Sequence, residues 1–125
     1  MILLLDAHTL LWWVADDGGL APAARRAIAD PASDVLISAA TVWGIGIKRN
    51  RGKLTAPDDL LGAIEAAGFD GVPVTLADGD AAAGLPPHHR DPFDRMLVAQ
   101  VMRLGAVLVS RDQAFAPYGV DVLTA

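Results

Sequence analysis

The sequence contains no cysteine. Disulfides and thiolate-ligated metal sites are therefore excluded, and nothing in the chain calls for an oxidising compartment. Lysine is scarce and confined to Lys48 and Lys53, with none later in the chain. Glutamate is scarcer still: Glu65 is the only one, so fourteen of the fifteen acids are aspartate. Aspartate is favoured at helix caps and turns, so many of these acids are expected to be structural. No apolar run approaches the ~18 residues of a membrane span. The apolar start Met1–Leu5 meets Asp6 at once and has no basic segment, which is unlike a signal peptide. A cytoplasmic protein with no membrane association is expected.

Enough apolar material is present for a real core. Hydrophobic residues make up 53% of the 125 and charged residues 20%, which excludes disorder and fits a single domain spanning 1–125. The net charge of −5 argues against a surface that coats nucleic acid generally. The positive charge is unevenly spread, however: Lys48, Arg49, Arg51 and Lys53 fall within six positions.

Short apolar runs alternate with helical patterns. Strands are predicted at Ile2–Leu5, Val35–Ile37, Val72–Thr75, Ala106–Val109 and Val120–Leu123. Between them, helices are predicted at His8–Ala15, Pro22–Ala29, from Ser38 as cap to about Asn50, Asp58–Ala67, Leu76–Gly84, and from Asp91-Pro92 to Leu104-Gly105. Continuously apolar strands alternating with helices indicate an α/β fold, a central parallel sheet of about four to five strands covered on both faces. In such sheets the ligand site lies at the carboxyl ends of the strands, near the switch in strand order. That rule directs attention to Asp6, Ser38 and Ser110-Arg111-Asp112, each of which directly follows an apolar run.

Each acid has an ordinary structural reading. Asp6 fits an N-cap, Asp91-Pro92-Phe93-Asp94 reads as the cap and first turn of a helix, and Asp112 can cap a short helix at Gln113–Phe115. Convergence changes the reading. Asp6, Asp94 and Asp112 are all expected at one edge of one sheet, and carboxylates packed together repel unless a divalent cation joins them. Oxygen-only ligands suit Mg²⁺ or Mn²⁺, ions that activate water for attack on a phosphodiester.

Four segments together resemble the VapC-type PIN-domain ribonucleases. They are Leu3-Leu4-Leu5-Asp6-Ala7-His8-Thr9-Leu10-Leu11-Trp12, Ile37-Ser38-Ala39-Ala40-Thr41-Val42-Trp43, Asp91-Pro92-Phe93-Asp94-Arg95-Met96-Leu97-Val98-Ala99-Gln100 and Leu108-Val109-Ser110-Arg111-Asp112. The resemblance implies an α/β/α sandwich and Mg²⁺- (or Mn²⁺-) dependent cleavage of RNA, tRNA or rRNA being the expected substrates. It also implies inhibition by a small VapB-type antitoxin, and a homodimer within a toxin–antitoxin complex. By the same resemblance Asp6 and Asp94 match the main metal-binding acids, Asp91 a weaker accessory, Asp112 the last acid, and Ser110 a hydroxyl position beside it. Ser38 and Ser110 are candidate substrate contacts.

Two positions depart from the family pattern, the lesser being Ala7, where a hydroxyl residue is common. The family carries an acid on its third helix, usually within Trp-Glu-Ile, whereas here the run is Trp43-Gly44-Ile45. Gly44 and Gly46 also cost roughly 1 kcal/mol each relative to alanine inside a helix. Impaired catalysis is expected. The alternative is a catalytically inactive PIN-fold protein that binds antitoxin or RNA without cleaving it.

Among the remaining residues, Lys48, Arg49, Arg51 and Lys53 suit a helix C-terminus and also an RNA-phosphate patch. At least one of Trp12 and Trp13 is expected in the core, and Trp43 as well. His8, His88 and His89 lack metal-motif spacing and read as structural or solvent-facing. A haloacid-dehalogenase-type phosphatase would need a second aspartate where His8 stands. A response-regulator receiver would need a lysine after a late strand, and none follows Lys53.

Overall fold

The computed structural model describes all residues, 1–125. Its strands and helices alternate: β1 (Ile2–Leu5), α1 (Ala7–Val14), α2 (Pro22–Ala29), β2 (Asp34–Ser38), α3 (Ala39–Asn50), α4 (Leu60–Ala66), β3 (Asp70–Val72), α5 (Leu76–Ala83), α6 (Pro92–Leu104), β4 (Val107–Ser110) and β5 (Val122–Thr124). A 3₁₀ helix at Gln113–Tyr118 joins the last two strands. The five strands form one sheet in the order β3-β2-β1-β4-β5, and every pairing is parallel. No helix is long and apolar enough to cross a membrane.

The two-residue period of β1 sorts its leucines between two cores. Leu3 and Leu5 face a larger cluster with Leu10, Ile28, Ile45 and Ile64, which joins α1, α2, α3 and α4 to one side of the sheet. Leu4 faces a smaller cluster with Leu97, Val98, Leu108 and Phe115, which joins α6 and the 3₁₀ helix to the other. All three leucines are fully buried, each contributing about 1.5–3 kcal/mol relative to exposure. This is the α/β layering expected from the apolar runs. Gly105 closes α6 in the left-handed conformation at φ 62°, which a side chain would resist.

Three sequence expectations are corrected. β3 ends at Val72 instead of running from there to Thr75, because Pro73 has no N–H to continue the ladder. α4 starts at Leu60, where the Asp59 side chain accepts the Gly62 amide as a cap, and not at Asp58. Trp43 is 68% exposed instead of core. The buried face of α3 is Ala40, Thr41, Gly44 and Ile45, two adjacent pairs one turn apart, and position 43 lies outside it. Trp12 and Trp13 are half-buried and both pack against the larger core.

Candidate active site

The chain moves outward from β1 to β2 and β3, then returns to lay β4 on the other side of β1. The crevice this leaves lies beyond the carboxyl ends of β1 and β4. Asp6 follows β1 directly, and Ser110 ends β4. The Asp6 carboxylate caps α1 by accepting the Thr9 amide at 3.0 Å through Oδ1. The Thr9 hydroxyl stands 2.7 Å from the same oxygen and 2.9 Å from the Val109 carbonyl. The other oxygen, Oδ2, accepts from the Ser110 hydroxyl at 2.5 Å. Asp6 is thus buried but held by three hydroxyl and amide groups, which fixes its orientation.

Asp94 enters from α6. Asp91 is the cap of that helix, its Oδ1 accepting the amides of Phe93 and Asp94, which leaves the Asp94 carboxylate in the first turn, facing the crevice. Asp112 caps the 3₁₀ helix through Oδ1, which accepts the Ala114 amide at 2.9 Å. The expected caps are present; Asp94 and Asp112 come within 4.8 Å of each other, while Asp6 lies outside that group, at the end of β1, and acts on Asp94 through its charge. Burial pushes the Asp94 carboxyl up to about 7, with the negative charges of Asp91, Asp6 and Asp112 adding to the rise and His89 opposing it. The crevice holds more negative charge than its surroundings balance.

His89 was expected to be structural or solvent-facing, and the structure places it at the centre. Its Nε2 lies 2.9 Å from Asp112 Oδ2 and 3.1 Å from Asp94 Oδ2. One ligating atom from each of these three residues fits within a 4.8 Å span. The spacing of the histidines hid this role. The available signal was position, since His89 stands two residues before the Asp91 cap and so shares the helix N-terminus with the acids.

The other candidates separate into groups. Ser38 is fully buried, and its hydroxyl accepts the Ala40 amide, so it caps α3 and has no surface to offer a substrate. Ser110 is also buried, with its hydroxyl spent on Asp6 and on the Asp112 amide. Both are candidate substrate contacts whose hydroxyls the structure shows buried and engaged within the chain. Lys48 approaches Asp91 at 4.0 Å, and Arg49 donates to the Pro57 carbonyl at 2.8 Å. Arg51 and Lys53 are exposed and make no ion pair. Gly44 is buried under the ring of Phe93.

The model of the PIN domain family matches residues 3–120. The chain belongs to the PIN domain family. PIN domains are in general nucleases that use divalent metal ions. The donor chemistry fits such an ion: Asp94 and Asp112 offer oxygens within 4.8 Å of each other beside His89.

Solved structures share the fold at low identity. A chain of VapBC2 from Rickettsia felis, bound to a DNA fragment from its promoter, superposes with a TM-score of 0.70 at 10% identity, covering 99% of this chain and 98% of that one. DNA-bound VapBC from Salmonella typhimurium gives 0.69 at 16% identity, with the same coverage. VapBC-5 from Mycobacterium tuberculosis gives 0.62 at 17%, covering 98% and 96%. No curated protein sequence matches the chain.

Proposed function

We propose that this PIN domain is the toxin of a VapBC-type toxin–antitoxin pair, a metal-dependent endoribonuclease whose activity is reduced by the glycine at position 44. The reading is supported by the carboxylates of Asp94 and Asp112, which come within 4.8 Å of each other beside His89, with Asp6 at the adjoining end of β1. These aspartates would hold Mg²⁺ or Mn²⁺, with Asp91 as an accessory, and the ion would supply an activated water and charge neutralisation at the scissile phosphate. Asp6 is oriented for this by Thr9 and Ser110, and Asp112 by Ala114 and His89. Arg51 and Lys53 are free to meet RNA phosphates, which reconciles a net-negative chain with a polyanionic substrate.

A VapB-type antitoxin as partner is supported by the three VapBC complexes that share the fold. A homodimer is supported by the apolar groove between the starts of α3 and α6, lined by Trp43, Val74, Phe93 and Met96, in which Trp43 is 68% exposed. The cytoplasm is the compartment consistent with a cysteine-free chain that acts on cellular RNA.

A second reading, a PIN domain that binds without cleaving, is favoured by one observation: the Phe93 ring packs close over position 44, 3.2 Å from where a Cβ would stand. The deciding experiment is single-turnover cleavage of a tRNA and rRNA panel with Mg²⁺ or Mn²⁺, comparing the natural chain with Asp94→Asn and Gly44→Glu. The nuclease reading expects metal-dependent cleavage that falls at least about 100-fold in Asp94→Asn and rises in Gly44→Glu. Equal, metal-independent background in all three would establish the binding reading.

A further inference from the structure

His89 is the one side chain that touches two of the candidate metal-binding carboxylates, and its hydrogen bonds decide what it can do there. The Asp91 amide donates to Nδ1 at 3.2 Å. A nitrogen that accepts carries no proton, so in the neutral ring the proton sits on Nε2. That N–H donates to Asp112 Oδ2 at 2.9 Å, and Asp94 Oδ2 lies 3.1 Å from the same nitrogen. Histidines that ligate metals have the opposite arrangement: the ligating nitrogen is bare and the other N–H donates to an acceptor. Here the second nitrogen faces a donor, so Nε2 is committed to donating.

The ring is also locked from behind. The His89 amide donates to the Tyr118 hydroxyl at 2.9 Å, and that hydroxyl donates to the Pro86 carbonyl at 2.8 Å. Arg95 spans the same loop, donating to the carbonyls of Pro86, His89, Ala82 and Leu85. The imidazole packs against Phe115 with ring centroids 5.2 Å apart, and its side chain is only 12% exposed. The hydrogen bonds fix the His89 backbone, and Phe115 packs against the ring.

We propose that His89 is a positioning residue: its Nε2–H holds Asp112 by a hydrogen bond, its ring stands against Asp94, and it keeps the two carboxylates together for a divalent cation without ligating it. The assignment rests on the metal-dependent reading above. It predicts a metal site that stays all-oxygen although a histidine stands within it, and therefore one that selects hard ions over zinc, cobalt or nickel.

The test uses the full chain loaded with Mn²⁺. Electron spin echo spectroscopy of the bound ion reports any directly coordinated nitrogen, and titration gives the Mn²⁺ affinity. The expected result is no coordinated nitrogen, an affinity about 10–100-fold weaker in His89→Ala, and recovery of most of that loss in His89→Gln, whose amide can donate but ligates poorly. The loop is held by Arg95 and Tyr118 without the ring, so His89→Ala is expected to fold, as circular dichroism would check. A directly coordinated nitrogen, or unchanged Mn²⁺ affinity in His89→Ala, overturns the assignment alone. A natural chain that binds no Mn²⁺ overturns the metal reading and the assignment together.

Discussion

A Cβ added to Gly44 would stand 3.2 Å from Cγ of Phe93, whereas one added to Gly46, two residues along the same helix, would meet nothing within 4 Å. Both glycines cost helix propensity, but only one is held in place by a neighbour. Gly46→Ala is expected to raise stability by about 0.5–1 kcal/mol, the usual return for replacing a helical glycine. Gly44→Ala is expected to return less, because the Phe93 ring must give way by a few tenths of an ångström. Urea unfolding of both variants checks this. An equal gain at the two positions would show that Phe93 moves freely. By the same contact, Gly44→Glu is not expected to stabilise the metal-free protein, since its carboxylate must displace the ring and then face Asp94.

The raised carboxyl of Asp94 has a consequence for stability. Its value of about 7 in the folded protein lies above the ordinary 3.8, so the folded state holds a proton that the unfolded state has released between those limits. Stability is therefore lost as pH rises from about 4 to about 7, and the metal-free protein is weakened at neutral pH. Asp94→Asn is expected to stabilise the metal-free protein by about 1–2 kcal/mol at pH 7.5 and to make no difference below pH 4. Thermal melts across that range in the presence of a chelator measure it. Mg²⁺ should remove the advantage by stabilising the natural chain alone.

Asp78 shifts the opposite way. It is 1% exposed, and the Arg103 guanidinium, together with Thr75 and Gln100, holds its carboxyl well below the usual range against the opposing effect of burial. Arg103 Nε donates to Oδ1 at 2.6 Å and Gln100 Nε2 to Oδ2 at 3.2 Å, joining α5 to α6. A depressed folded value gives stability that is present above about pH 4 and lost as pH falls further. Asp78→Ala is expected to cost about 2 kcal/mol or more, since bonds to a charged acceptor are worth about 1.5–3 kcal/mol and their donors are left unpaired. Asp78→Asn should cost less and flatten the acid limb of the stability profile. An unchanged acid limb would show that other carboxylates set it.

The legibility of this fold follows from what each signal depends on. The β1 run Leu3-Leu4-Leu5 needs burial on both faces, which only a covered parallel sheet supplies, so the layering could be read directly. The caps formed by Asp6, Asp91 and Asp112 were legible because strand ends and helix starts are local signals. Trp43 was misread because aromatic character suggests burial, while its exposure depends on which face of α3 meets the sheet. His89 escaped because its partners lie five and twenty-three residues away, on a helix and a cap with no spacing in common. The β3 boundary turns on Pro73, whose missing N–H ends the ladder at Val72.

The basic cluster at the end of α3 divides into two pairs with different expected behaviour. Arg49 is half-buried and donates to the Pro57 carbonyl, and Lys48 leans towards Asp91. Their charges are partly engaged in holding the segment that leads into α4 and the start of α6. Arg51 and Lys53 are exposed and make no ion pair. Each phosphate contact to single-stranded RNA contributes about 0.7 to the slope of log affinity against log salt. Arg51→Ala with Lys53→Ala should therefore lower that slope by about 1–2 and leave unfolding nearly unchanged. Arg49→Ala should do the reverse, reducing stability by about 1 kcal/mol for the lost hydrogen bond with little effect on the slope. Both are measured on an Asp94→Asn background in Ca²⁺, so that RNA is bound without being cut. If the Arg51 and Lys53 double variant keeps the natural slope, the cluster serves only the helix C-terminus.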